Sequence, residues 1–460
     1  MNSILKGFKA IIFLVLKPFL YALKPLIERY SLLLHPKSIS TIKTMKTTTR
    51  FSFNSMLFGM FFLLTMPCCS ADAAETTSNK TNETTDYGQA VTAKQWNKDV
   101  VGWNLGNQLE CSAPGQDGES MQIGLVDNSM KAETAWGNPV VTKKTIKAVK
   151  EAGFNAIRIP IRWQCHITNL AAMSIDKAWL NRVKEIVGWC LDNDLKVIIN
   201  THHDKWLEGR PTYQYKDENN QKLALLWLNI ASEFANYDYR VAFAGTNEVH
   251  IKDNWGKPEA ENLAVQNSYN QTFIDVVRAT GGNNEKRHLI VQTYVCNPDF
   301  GLWNGDFIIP KDMEGNGNDF MSVEFHYYTP WDYAGECKYN YWGQPSKDKG
   351  LEVSPSNEKT MTDFFDNVVR NWADKGLGVV VGEWGVTDRQ KAGQTDAIHE
   401  NMTYYCRFLV SETRKRGFST FIWDNNNFGS GAEHFGIFDR KASMKVKAPW
   451  ILQGIMEGKK

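Results

Sequence analysis

Two short apolar runs in this sequence each end in a carboxylate. Val241-Ala-Phe-Ala-Gly245 leads into Thr246-Asn247-Glu248, and Val379-Val-Val381 leads through Gly382 into Glu383. Their length and small or β-branched composition are those of buried strands. A carboxylate or amide is costly to bury without a partner, so packing alone does not call for Glu or Asn-Glu at such an end. Two carboxylates brought to one pocket can divide acid–base work, one holding a proton and the other its charge. Asn247 sets a hydrogen-bonding amide directly beside one of them.

Other polar side chains recur at the same kind of place. Arg158 sits in Asn155-Ala-Ile-Arg-Ile-Pro160, and Leu195–Asn200 leads to Thr201-His202-His203-Asp204. Met321–Phe325 leads to His326-Tyr327-Tyr328, and Thr420–Trp423 ends in an aromatic. The histidine pair invites a metal reading. Adjacent residues of an extended chain point to opposite faces, and no helical histidine pair accompanies them. Neither a metal site nor a cofactor is predicted.

These strand ends need a scaffold that gathers them. Helical patterns over Thr142–Ala152, Lys177–Leu191, Gln221–Asn236, Pro258–Thr280, Lys359–Asp374, Ala397–Arg416 and Val446–Met456 alternate with strands over Asp99–Leu105, Asn155–Pro160, Leu195–Asn200, Val241–Gly245, His288–Thr293, Met321–Phe325, Val379–Val381 and Thr420–Trp423. Eight such units predict an α/β fold, a single (β/α)8 TIM barrel over residues 94–460. Unit five departs from the pattern, because Asn297–Asp319 reads as a long loop. In a barrel the C-terminal strand ends form one rim around one pocket. Arg158, His202, Asn247, Glu248, His326, Glu383 and Trp423 would all face it.

Composition narrows the ligand. The 460 residues carry 52 basic and 51 acidic side chains, a net charge of +1 that favours neither nucleic acid nor an anionic surface. Sixteen Trp and sixteen Tyr suit the stacking of neutral sugars, although most of them are needed for a core this large. At the N-terminus, Met45-Lys-Thr-Thr-Thr-Arg50 and Met56–Met66 read as the basic and apolar parts of a signal peptide over 45–73, with Ala71-Asp-Ala73 as the cleavage signal. Residues 1–44 read as an upstream extension from a start chosen too early, and 74–93 as a flexible Thr/Ser/Asn-rich tether. Cys68 or Cys69 would suit a lipid anchor, against Pro67 and Cys68 standing where a small residue is expected. An exported monomer with no membrane span in its mature form is expected, periplasmic, outer-surface or extracellular. Its six remaining cysteines form at most one or two disulfides.

Over residues 96–456 the chain resembles glycoside hydrolase family 5, the cellulase family. The resemblance is carried by Gly102-Trp-Asn-Leu-Gly-Asn107, Glu133-Thr-Ala-Trp-Gly-Asn-Pro139, Ile157-Arg-Ile-Pro160, Asn200-Thr-His-His-Asp204, Thr246-Asn-Glu248, His326-Tyr-Tyr328, Gly382-Glu-Trp384 and Trp423. It implies a retaining β-glycosidase with Glu248 as acid/base and Glu383 as nucleophile. Arg158 would keep Glu383 ionised, Tyr328 would donate to it, and Asn247 would bond the sugar 2-hydroxyl. A drier surround and the charge of Glu383 would keep Glu248 neutral. His202 and His326 would belong to the pocket, His203 to its wall, and Trp423 to its floor. Two of Trp136, Trp206, Trp331 and Trp342 would line the cleft, with Trp136 and Trp206 taken as the substrate-binding pair, and the loops at 106–141 and 297–319 would shape it.

The expected activity is that of an endo-β-1,4-glucanase (EC 3.2.1.4) cutting internal bonds of cellulose-type or mixed-linkage glucan by double displacement. The same chemistry on xyloglucan, mannan or glucomannan is the first alternative. A carbohydrate-binding barrel without catalysis is the alternative of another class, and the intact carboxylate pair argues against it.

Overall fold

The computed structural model describes residues 88–302 and 307–460. The expected signal peptide, the extension before it, Cys68 and Cys69, and the tether up to Tyr87 lie outside the described residues. Among those described, eight parallel strands close into a barrel, each bonded to its neighbours in chain order and the last to the first. They are β1 Val101–Asn104, β2 Ala156–Ile159, β3 Lys196–Asn200, β4 Val241–Ala244, β5 Leu289–Gln292, β6 Met321–Tyr327, β7 Gly378–Trp384 and β8 Ser419–Ile422. Each is followed by its helix: α1 Lys143–Glu151, α2 Lys177–Asp192, α3 Tyr213–Glu233, α4 Ala260–Ala279, α5 Pro298–Leu302, α6 Glu358–Asn371, α7 Thr395–Lys415 and α8 Pro449–Lys459. The expected TIM barrel is the fold.

Local signals account for the helix limits. Thr142 and Asn357 cap α1 and α6 in reciprocal boxes with the third helical residue, and the Asp176 carboxylate accepts from Trp179 N at the start of α2. Gly153, at φ 103°, ends α1 in a backbone conformation that residues with a Cβ disfavour. Unit five has a single turn-and-a-half helix, α5, where the sequence reads as loop throughout. The chain also orders earlier than the tether reading allows: Thr92 caps a short helix, Ala93–Asn97, and Ala93 N donates to Asp319 O at 2.6 Å. Trp96 and Val100 then close the bottom of the barrel, packed with Ala156, Ile198, Ala242, Ile290, Val380 and Phe421. The six cysteines among the described residues are free thiols, so the allowance for a disulfide is not taken up there. A core of this size holds without staples.

The barrel interior is apolar at mid-height and polar at its upper end. Side chains alternate along β6: Val323, Phe325 and Tyr327 join the core beneath the helices, and Ser322, Glu324 and His326 take the other face. β7 breaks the alternation. Phe325 pairs with Val381 but His326 pairs with Glu383, so Gly382 is an extra residue in the ladder. Such a bulge turns the following side chain back to the face it would otherwise leave, and Glu383 thereby points inward. Among the described residues no helix is long and apolar enough to cross a membrane.

Candidate active site

Arg158 is the hub of the polar layer. It is fully buried, and its Nη1 donates to Asn104 Oδ1 at 3.0 Å and to Glu383 Oε1 at 2.9 Å. Its Nη2 donates to Asn247 Oδ1 at 2.8 Å, and its Nε lies 3.0 Å from Glu324 Oε1. Register puts Arg158 beside Asn104 on the neighbouring strand. One guanidinium on β2 thus ties together groups from four other strands or strand ends, a task suited to its planar fork of donors.

Glu383 accepts from Arg158 on Oε1 and from the Tyr328 hydroxyl on Oε2 at 3.1 Å. Burial pushes its carboxyl up, His326 and Arg158 pull it down, and Glu248 and Glu324 push it up again, leaving it raised. The same burial, with the neighbouring carboxylates, holds Tyr328 protonated as a donor. Phe435 packs on Tyr328 at 5.5 Å between ring centres.

Glu248 follows β4 and is half-buried, reaching the pocket from the side. Its Oε1 lies 2.5 Å from His326 Nδ1, which is also 3.6 Å from Glu383 Oε2. Carboxylate oxygens of Glu248 and Glu383 come within 4.8 Å of one another. The drier surround expected for Glu248 belongs instead to Glu383, the deeper of the two. His326 is raised well above the ordinary histidine range: burial opposes its charge, and Cys296, Glu383 and Glu248 favour it. The Cys296 thiol is itself pushed up to about 12, chiefly by burial, so it is neutral near pH 7 and the favourable charge at His326 comes from the carboxyl groups beside it.

The oxygen of Asn247 is committed to Arg158, which turns its amide nitrogen toward the pocket, 3.4 Å from His202 Nε2. The other His202 nitrogen faces the Asn200 amide at 3.1 Å, and burial holds the ring neutral. His203 departs from the expected extended geometry. It takes φ 57°, and its ring meets that of His202 edge-on at 4.3 Å instead of pointing away. Its N–H donates to Glu208 Oε1 at 2.7 Å, and its ring lies 6.0 Å from that of Trp136. The Trp423 ring stacks parallel to His202 at 6.0 Å. It fits there because position 106 is glycine: a Cβ would come 2.9 Å from Trp423 Cζ2.

The aromatic candidates divide sharply. Trp136 and Trp331 are 40% and 49% exposed. Trp206 and Trp342 are 2% and 0% exposed, and belong to the core. Trp206 is therefore corrected from cleft to core residue; Lys222 on α3 covers its ring. A bidentate Arg182–Glu133 pair, with contacts of 2.9 and 2.7 Å, clamps the loop carrying Trp136 to α2.

Glu248, His326 and Glu383 could be mistaken for a metal cradle. Both Glu383 oxygens are already taken by donors, and the arginine and imidazolium charges repel a further cation. Sequence reading overlooked Asn104, Gln292, Cys296 and Glu324. For Glu324 the signal was present in Ser322-Val-Glu-Phe-His326, whose polar residues stand two apart.

Residues 112–429 match the family described as Cellulase (glycosyl hydrolase family 5). The chain belongs to glycoside hydrolase family 5. It is 30% identical over 384 residues to endoglucanase A of Paenibacillus barcinonensis, covering 80% of this chain and 91% of that one. It is 34% identical over 365 residues to a cellulase/esterase of Acetivibrio thermocellus, covering 78% of this chain and spanning only 39% of that longer protein. A family 5 xyloglucanase from Paenibacillus pabuli, solved with a ligand, superposes with a TM-score of 0.70 at 31% identity, over 80% of this chain and all of that one (100%). This chain is an endo-β-1,4-glucanase-like family 5 hydrolase.

Proposed function

We propose that the protein is an exported, retaining endo-β-1,4-glucanase acting on cellulose-type or mixed-linkage glucan. One observation carries the stereochemistry: carboxylate oxygens of Glu248 and Glu383 within 4.8 Å. Inverting enzymes hold their carboxyl groups about 6.5–9.5 Å apart to admit a water, and retaining ones about 5–5.5 Å. Glu383, fixed by Arg158 and Tyr328, attacks the anomeric carbon while Glu248 protonates the departing glycosidic oxygen. Water then enters the vacated side. Glu248 takes its proton, the new C–O bond forms, and the ester to Glu383 breaks. Asn247 presents its amide N–H to the sugar 2-hydroxyl, a bond that strengthens as positive charge develops on the ring. Trp423 floors the reacting sugar.

The likeness to an endoglucanase matched over 91% of its own length supports the glucan backbone. The likeness to the P. pabuli xyloglucanase supports a second reading, branched xyloglucan, with the same chemistry. The basic and apolar segments over 45–66 support export. Product release from carboxymethylcellulose, barley mixed-linkage glucan, xyloglucan and glucomannan tests the assignment, with Glu383→Gln as control. Cleavage of the first two by wild type alone is expected. A tenfold preference for xyloglucan, about 1.4 kcal/mol in the transition state, transfers the assignment to the second reading.

A further inference from the structure

Glu324 lies on β6 two residues before His326, fully buried and on the same inward face. Its Oε1 is 3.0 Å from Arg158 Nε and 3.6 Å from His326 Nε2, while its Oε2 accepts from Gln292 Nε2 at 2.7 Å. The Gln292 oxygen in turn accepts from both Thr246 N and Thr246 Oγ1 at 2.9 Å. Thr246 immediately precedes Asn247 and Glu248. On the other side, a Cβ at Gly382 would overlap Glu324 Oε1, so the residue before Glu383 is shaped around this carboxylate.

A buried ion pair is weak support for a fold, because desolvation offsets the attraction and apolar substitutes are often as stable. Glu324 therefore calls for another account. It touches the cation that fixes Glu383, the imidazole that faces Glu248, and the amide that anchors the end of β4. We propose that Glu324 is a positioning residue that holds Glu248 and Glu383 in mutual register through Gln292, His326 and Arg158. This rests on the reading that these two glutamates are the reacting pair.

Charge makes the role measurable. The groups facing His326 are Glu324 on its own strand, Glu383 on β7, Glu248 and Cys296 from the loops after β4 and β5, and the neutral His202 after β3, while Arg158 on β2 shares the Glu324 and Glu383 carboxylates with it. The Cys296 thiol is neutral near pH 7. Removing the negative charge of Glu324 weakens the hold on the His326 proton, so it leaves at lower pH.

The test measures kcat, KM and their pH dependence for wild type, Glu324→Gln and Glu324→Asp on the best-cleaved glucan, with thermal midpoints as a check of folding. For Glu324→Gln we expect kcat to fall at least tenfold, KM to stay within twofold, and the alkaline limb to move to lower pH. Glu324→Asp keeps the charge and returns the limb toward wild type. An unmoved limb, or a kcat near wild type, overturns the proposal. Should Glu324→Gln not fold, Glu324→Asp decides. Withdrawn from Arg158 by one methylene, it lowers kcat at least tenfold, and a wild-type kcat overturns the role. A wild type that cuts no glucan overturns the reaction and this role together, whereas an active wild type with unaffected variants counts against Glu324 alone.

Discussion

Nδ1 of His326 stands 2.5 Å from Oε1 of Glu248, on the side facing Glu383. His326 thus stands as a donor beside the carboxyl that must protonate the departing sugar. The imidazolium is held well above its ordinary range, so it keeps its proton through neutrality and loses it only on the alkaline side. His326→Gln should lower kcat by about 10²–10³-fold, the usual worth of positioned proton transfer. It should also bring the alkaline limb to lower pH. A pH–rate profile of unchanged shape would sink this account.

Arg158→Lys keeps the charge and loses the fork. A lysine ammonium cannot reach Asn104, Asn247, Glu324 and Glu383 together, so at least one buried carboxylate is left without its partner. Breaking such a pair costs about 3–5 kcal/mol. We expect a clear drop in thermal midpoint and at least a hundredfold loss of kcat; a variant within threefold of wild type would contradict the hub assignment.

Trp136 and Trp206 should fail differently. Trp136→Ala removes an exposed ring on the loop after β1, and should raise KM for cello-oligosaccharides several-fold while leaving the thermal midpoint nearly unchanged. Trp206→Ala opens a cavity in the core at a cost of about 3–5 kcal/mol. Its thermal midpoint should fall, and KM of the folded fraction should hold. Interchanged results would return Trp206 to the cleft.

Two buried histidines make the fold sensitive to acid. His166, stacked on Trp179 at 3.7 Å, and His288, whose Nε2 lies 2.6 Å from Ser322 Oγ, are both lowered by burial to about 3. A lowered folded-state value means that the unfolded chain binds the proton first. Their stabilising share is complete above about pH 6.5 and is lost as pH falls toward 3, at about 1.4 kcal/mol per pH unit for each. Unfolding free energies measured by denaturant between pH 7 and 4 should show this slope, and His288→Gln should flatten it. An identical slope in the variant would remove His288 from the cause.

The groups legible in the sequence were those at strand ends whose chemistry has no packing use: Arg158, Asn247, Glu248 and Glu383. Trp206 misled because an aromatic on a loop after a strand reads alike whether it faces the cleft or turns under it. Only the placement of Lys205–Glu208 against α3 decides that. Gln292 and Glu324 were missed because they lie within strands taken as apolar. His203 was read as extended because a left-handed residue leaves no mark in a sequence unless it is glycine or asparagine. Unit five was read as loop because five helical residues are too few to show a period.

The extra residue at Gly382 has a consequence for anyone who would move this chemistry elsewhere. An idealised eight-stranded scaffold, built with strict alternation, would turn a glutamate at this position outward under the helices. A transplant of the pair must therefore carry the irregular strand with it, and leave the neighbouring position without a side chain. Reactivity in this molecule depends on one local miscount along β7 as much as on the identity of any acid.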